Sequence, residues 1–227
     1  KTYPWILNSQ EYINSGQTYQ TRNPCDRTMI VGTFPVFSEK DFDLFSGHDF
    51  AGALHDILVA GLNFAETVPW QERIKLLLEI SKVVKERFWL LVAAKQYETG
   101  QSLGEAIGET DETVDFPIAV AHALEELNEE LLPKSPKFAG DFNGKLYVPH
   151  GVFLNICPFN FPDAIPMDMA CKALAMGNAF IEKSSNKSLF LLKIIDFPSG
   201  LLCVWYCLLK TFGEIIILTF SSFTSSS

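Results

Sequence analysis

The sequence predicts an α/β fold built around a parallel sheet. Between residues 151 and 183, the apolar run "GVFLNIC" is followed by a helical segment and then by a second short strand, "AFIEK". A nearly continuous apolar run is typical of a strand buried on both faces of a parallel sheet. Strand, crossover helix and strand form a βαβ unit, whose connection is almost always right-handed.

Helical patterns upstream of this unit supply the α layer. Residues 50–65 and 70–96 carry apolar residues at intervals of three and four, which places them on one helix face. In the second segment, taken as a single helix, the stripe comprises Ile74, Leu77, Leu78, Val84 and Phe88. An acidic helix follows Gly100, and we interpret its glutamates and aspartates as a solvated face. Residues 3–36 alternate like short strands between turns.

Composition and charge exclude several classes of function. A net charge of −9 offers no basic face, so we expect no nucleic-acid partner. Five cysteines at wide spacings indicate reduced thiols, so the cytoplasm is the expected location, with the mitochondrial matrix left open. The four histidines show no metal-ligand spacing, so no metal site is predicted.

Residues 189–227 differ from the rest of the chain in being rich in Leu, Ile, Phe and Ser. The longest uncharged run before Lys210 is 13 residues, from Phe197 to Leu209. A bilayer requires ~20 apolar residues, so a membrane anchor is not expected. The segment is either further strands of the same sheet or sequence that is not native to the protein, and both interpretations stay open.

The candidate site is the loop "PFNFP" after the first buried strand. Pro158 has no N–H and ends the hydrogen-bond ladder, while Pro162 biases Phe161 toward an extended conformation. The loop should therefore be stiff and lie at the carboxyl edge of the sheet, where open α/β sheets bind ligands. The side-chain NH₂ of Asn160 can donate to a developing oxyanion. Alternatively, Asn160 caps the next helix or holds a turn.

The segment "GVFLNICPFNFPDAIPMDMACKALAMGNAFIEKSS" resembles the aldehyde dehydrogenase superfamily, in which P-[WF]-N-F-P precedes A-L-A-x-G-N and a strand ending in K-P-S-E. The helix that begins "WQERIKLL" and the "ETG" turn are similar to the family as well. Residues 1–188 are thereby identified as a partial NAD(P)-binding domain with the start of a Rossmann-like parallel nucleotide-binding sheet, and residues 189–227 as a divergent tail. The "VDF" stretch is similar to the pyrroline-carboxylate and semialdehyde branches.

The resemblance implies a role for each candidate residue. Asn160 would stabilise the oxyanion of the thiohemiacetal formed on the catalytic cysteine. Ile156 and Phe159 would line the passage where nicotinamide and aldehyde meet, and Lys183 would hydrogen-bond the adenosine ribose. The family's ribose-binding glutamate corresponds to Asn186, and the lost carboxylate leaves both NAD and NADP open as the cofactor.

The activity implied is NAD(P)-dependent oxidation of an aldehyde, or a semialdehyde, to a carboxylic acid. A cysteine thiolate adds to the carbonyl, hydride leaves to nicotinamide, and a glutamate activates the hydrolytic water. The resemblance also implies an aldehyde substrate and a homo-oligomer. In the family both catalytic residues lie beyond the position of residue 227, so we expect the catalytic domain to be absent. The alternatives are a fragment that binds nucleotide weakly or joins a full-length relative, and an aberrant gene product.

We expect the 227-residue polypeptide to oxidise no aldehyde by itself, because none of its five cysteines stands in the sequence context of the family's nucleophile. The purified chain would be mixed with NAD or NADP and a panel of aldehydes. Formation of reduced cofactor above a protein-free blank would contradict this prediction.

Overall fold

The computed structural model describes residues 2, 5–7, 10–12, 16–36, 50–130, 147–185 and 187–188. The predictions made for Asn186 and for the tail at 189–227 fall outside these residues. None of the helices in the described ranges is long and apolar enough to cross a membrane.

The described elements are four short strands, four longer helices and a final strand–helix–strand unit. Two antiparallel pairs open the chain, and they comprise β1 (Trp5–Leu7), β2 (Gln10–Tyr12), β3 (Thr18–Arg22) and β4 (Ile30–Pro35). Four helices follow: α1 (Phe50–Thr67), α2 (Trp70–Glu86), α3 (Phe88–Glu98) and α4 (Leu103–Glu130). The chain then forms β5 (Val152–Ile156), α5 (Ala164–Ala175) and β6 (Ala179–Lys183).

The predicted βαβ unit is confirmed. Strands β5 and β6 are parallel and in register from Val152 opposite Ala179 to Ile156 opposite Lys183, with α5 as the crossover. Helix α1 packs so closely on this pair that a Cβ at Gly61 would lie 2.9 Å from the Cβ of Ala179. The main core lies where α2, α4 and α5 meet, around Leu77, Leu174 and Phe180.

Two predictions about buried surfaces are wrong. The segment 70–96 is two helices, because the backbone leaves the helical conformation at Arg87 (φ −103°, ψ 11°). The break turns Leu91 into the core, whereas Leu78 of the predicted stripe is 44% exposed. Strand β5 is not buried on both faces: Phe153 on one face is 41% exposed and Leu154 on the other is 50% exposed, whereas β6 is buried from Ala179 to Glu182.

Arg73 joins the ends of two helices beneath this sheet. Its guanidinium donates to the carbonyl oxygens of Ala65 (2.9 Å) in the last turn of α1, of Val68 (2.9 Å) just after α1, and of Ala175 (3.3 Å) at the end of α5. Gly177, which follows α5, has φ +76°, and a Cβ there would lie 2.6 Å from Nη1 of Arg73. The end of α5 at the Gly-Asn pair is therefore set by backbone conformation and by space.

Asn178 ties together the beginnings of the two parallel strands. Its buried Oδ1 accepts the backbone N–H groups of His150 (2.6 Å) and Gly151 (2.9 Å), which immediately precede β5. The side chain of this one residue thus fixes where β5 starts relative to β6.

Glu182 is a buried acid on β6, opposite Asn155 of β5. The hydroxyl of Ser184 donates to its Oε1 at 3.2 Å. Burial raises the pKa of Glu182 to about 8, and the Ser184 hydrogen bond only partly offsets that rise. The folded chain therefore retains a proton on Glu182 that the unfolded chain loses at a lower pH.

We expect Glu182 to make the protein less stable as the pH rises. Between the ordinary glutamate pKa of 4.5 and about 8, the unfolded state gives up the proton and the folded state keeps it. The free energy of unfolding should therefore fall by up to about 1.4 kcal/mol per pH unit in this window, and the loss should be complete above it. Glu182→Gln should remove this part of the pH dependence in urea unfolding, whereas exposed Glu125→Gln should not. Parallel pH profiles for wild type and Glu182→Gln would contradict the assignment.

Candidate functional site

The loop that carries Asn160 begins where the β5 ladder ends. The backbone N–H of Cys157 donates to the carbonyl of Lys183 at 2.8 Å, and Pro158 follows without an N–H. Helix α5 starts at Ala164, so residues 158–162 cross the carboxyl edge of the sheet as predicted. Phe159 is 47% exposed and Asn160 is also exposed, so the tip of the loop faces outward.

Two of the predicted cofactor residues lie side by side at this edge. Ile156 and Lys183 are opposite one another in the parallel register, so their side chains emerge on the same face of the sheet. Ile156 is 62% exposed, which leaves an apolar surface beside the Lys183 side chain. Together with Phe159 and Asn160 in the adjoining loop, they form what we call the edge site.

A second lysine contacts the edge site. The Nζ of Lys187 lies 4.5 Å from the ring centroid of Phe159, a cation–π distance. The turn that carries Lys187 is closed by a 3.0 Å hydrogen bond from the N–H of Ser188 to the carbonyl of Ser185. Nothing in the sequence alone brings Lys187 to Phe159, because 27 positions and the whole βαβ crossover separate them.

Helix α5 is capped by a residue other than Asn160. Its N-cap is Asp163, whose side chain makes no capping hydrogen bond. Instead, Oε1 of Glu109 on α4 accepts the backbone N–H groups of Asp163 (3.1 Å) and Ala164 (3.3 Å). A carboxylate at a helix N-terminus also interacts favourably with the helix dipole. The capping role that the sequence left open for Asn160 therefore belongs to Glu109.

The backbone of Asn160 is held from the same side. Nε2 of Gln101, in the link between α3 and α4, donates to the Asn160 carbonyl oxygen at 2.9 Å and to Oε2 of Glu109 at 2.6 Å. Glu109 therefore contacts the loop directly at Asp163, after Pro162. It also holds Gln101, which contacts the loop at Asn160, before Pro162.

Lys95, Glu109 and Asp163 form a buried ion cluster beneath the loop. Nζ of Lys95 lies 2.8 Å from Oδ2 of Asp163 and 3.8 Å from Oε2 of Glu109. It also donates to the hydroxyl of Thr110 at 2.7 Å. All three charged residues are buried, so their charges must be balanced locally rather than by water.

One ammonium group balances only one of these two carboxylates. Burial raises the pKa of Asp163 well above its ordinary value, and the contact with Glu109 raises it further, while Lys95 opposes both effects. The physical reason is that two carboxylates in a dry site cannot both ionise against a single cation. Asp163 is therefore harder to ionise than an ordinary aspartate.

The sequence interpretation missed this cluster by assigning the acidic residues of α4 to solvent. Glu109 is only 2% exposed. A signal was present, because Ala106, Thr110 and Thr113 continue a buried stripe on the Glu109 side of the helix, and Lys95 follows buried Ala94 and Leu91. A charged residue at a position that helical periodicity assigns to the core is the pattern that would have found it.

The described thiols differ in exposure. Cys157 and Cys171 are buried, and burial raises the pKa of each, so both stay protonated at neutral pH. Protonated buried thiols are poor nucleophiles, and Cys157 is a small core residue. Cys25 is exposed. In the part of the chain that the structure describes, no group of three or more His, Cys, Asp or Glu could hold a metal ion.

Known proteins are similar to this chain in sequence. A family model described as the aldehyde dehydrogenase family matches residues 13–203. The 1-pyrroline-5-carboxylate dehydrogenase of Staphylococcus saprophyticus is 25% identical over 185 residues, covering 81% of this chain and 33% of that protein. The malonate-semialdehyde dehydrogenase 1 of Bacillus licheniformis is 31% identical over 144 residues, covering 60% and 29%.

Solved structures are similar to this chain in fold. The 1-pyrroline-5-carboxylate dehydrogenase from Thermus with bound NAD superposes with a TM-score of 0.75 at 25% identity, over 88% of this chain and 38% of that chain. The chain thus spans about a third of the length of the curated relatives it matches, which makes its fold part of the family fold. On the match of the family model over residues 13–203, this chain belongs to the aldehyde dehydrogenase family.

Proposed function

We propose that this chain contributes the cofactor-facing sheet edge and the oxyanion-binding loop of an NAD(P)-dependent semialdehyde dehydrogenase. The observation that carries the proposal is the edge site, where Ile156, Lys183, Phe159 and Asn160 come together at the carboxyl end of two parallel strands. That edge is where open α/β sheets bind their ligands.

The residues of the edge site fit a dinucleotide in chemical type. The exposed surfaces of Ile156 and Phe159 suit the flat face of a nicotinamide ring, and the Lys183 ammonium suits the hydroxyls of a ribose. The cofactor would supply the acceptor for the hydride taken from the substrate.

Asn160 would act on the substrate rather than on the cofactor. Its backbone is held by Gln101, and its exposed side chain can present an NH₂ donor to a carbonyl oxygen that becomes negatively charged. Removing one donor of this kind from an acyl-transfer enzyme typically costs about 10²–10³ in kcat. Asn160 is thus the catalytic residue that this part of the protein would provide.

The proposed substrate is an aldehyde that also bears a carboxylate. Both relatives described above, a 1-pyrroline-5-carboxylate dehydrogenase and a malonate-semialdehyde dehydrogenase, are named for carboxylate-bearing substrates. We also propose that the chain associates with itself, as its membership of the family implies.

We expect NAD or NADP to raise the melting temperature of the purified chain, because a ligand that binds only the folded state stabilises it by RT ln(1 + [L]/Kd). The cofactor that stabilises the chain at the lower concentration is the preferred one. No shift with either cofactor at millimolar concentration would contradict the proposal. A shift without aldehyde oxidation would support cofactor binding alone.

Lys183→Ala should weaken that stabilisation. Losing a hydrogen bond from a charged donor corresponds to roughly a tenfold higher Kd. The matched control is Lys172→Ala on α5, because Lys172 is exposed and pairs with Asp168 at 2.6 Å away from the edge site. Equal effects of the two variants would remove Lys183 from the proposed site.

A further inference from the structure

We propose that Gln101 and Glu109 are positioning residues for Asn160, and we call these two side chains the loop clamp. This inference rests on the proposed function in one respect, namely the oxyanion role of Asn160. The clamp itself touches neither cofactor nor substrate in this account. It acts by fixing the backbone from which the Asn160 side chain projects.

The clamp holds the loop on both sides of Pro162. Gln101 Nε2 fixes the Asn160 carbonyl at 2.9 Å, and Glu109 Oε1 fixes the N–H groups of Asp163 and Ala164. Between these points lie only Phe161 and Pro162, and the proline ring fixes its own φ angle. The peptide plane after Asn160 therefore has little freedom to rotate.

Neighbouring side chains hold both residues of the clamp in place. Oε2 of Glu105 accepts the backbone N–H (3.0 Å) and hydroxyl (2.7 Å) of Ser102, and the Ser102 hydroxyl accepts the Glu105 N–H (3.3 Å). This capping box fixes the start of α4 beside Gln101. Glu109, one helical turn further along, is held by the buried ion cluster, since Nζ of Lys95 lies 3.8 Å from its Oε2.

The geometry also explains why Gln101 carries an amide. A single Nε2 group donates to both the Asn160 carbonyl and the Glu109 carboxylate, at 2.9 and 2.6 Å. A carboxylate of the same shape at position 101 would face two acceptors with no donor. The arrangement requires a donor at 101 and an acceptor at 109.

The first test measures the mobility of the loop without any cofactor. Backbone ¹⁵N order parameters of Asn160 and Phe161 should be near the rigid value of about 0.85 in the wild type. In Gln101→Ala and Gln101→Glu they should fall below about 0.6, with order parameters of α2 unchanged. Gln101→Lys, which keeps a donor, should preserve the wild-type values.

Glu109→Gln tests the other half of the clamp. If its new amide accepts the Asp163 and Ala164 N–H groups, its NH₂ faces the Gln101 donor, so the loop should loosen as in Gln101→Ala. The effects of the two substitutions should not add when they are combined, because both break one contact chain. Glu112→Gln, an exposed position on the same helix, is the matched control and should change nothing in the loop.

These outcomes separate the clamp from a merely structural role and from the proposed function. Unchanged order parameters at Asn160 in Gln101→Ala, or a loss spread evenly over the core, would overturn the clamp. A loosened loop in a chain that neither NAD nor NADP stabilises would support the clamp and contradict the proposed function. If the loop stays rigid in Gln101→Ala and cofactor stabilises the chain, the clamp is contradicted and the proposed function is supported.

Discussion

The ion pair between Lys95 and Asp163 is the interaction on which the rest of the described structure depends. It joins α3 to the N-cap of the crossover helix α5, with both side chains out of contact with water. Removing Lys95 should cost about 3–5 kcal/mol, because neither of the two buried carboxyl groups would then face a cation. Glu109 adds α4 to the same junction, so three separate helices meet at one charged point.

This junction holds a loop that lies at the surface. The edge site is built from two parallel strands, which Asn178 sets in register, and from a loop that leaves β5 at Pro158. The strands alone would leave the far end of that loop free. The buried ion cluster and Gln101 hold the far end from the helical side, so the Asn160 backbone is supported from two independent layers.

The parts of the fold that the sequence predicted are those that local chemistry determines. Pro158 and Pro162 impose backbone constraints that do not depend on distant contacts, and the apolar run at 151–157 predicts the first strand of the βαβ unit. The break at Arg87, the burial of Glu109 and the contact of Lys187 with Phe159 depend on how segments distant in the sequence pack together. A prediction from hydrophobic periodicity assigns charged residues to the exposed face of a helix. It therefore places the residues of a buried ion cluster on the wrong face.

The most direct test of this account is a double-mutant cycle between Lys95 and Asp163. Lys95→Met, Asp163→Leu and the double variant would be compared with the wild type by urea unfolding. Because either single change already removes the 2.8 Å contact between Lys95 and Asp163, the two losses should be strongly non-additive, with a coupling energy of about 2 kcal/mol or more. Losses that add to within about 0.5 kcal/mol would contradict the account, because the two residues would then contribute independently.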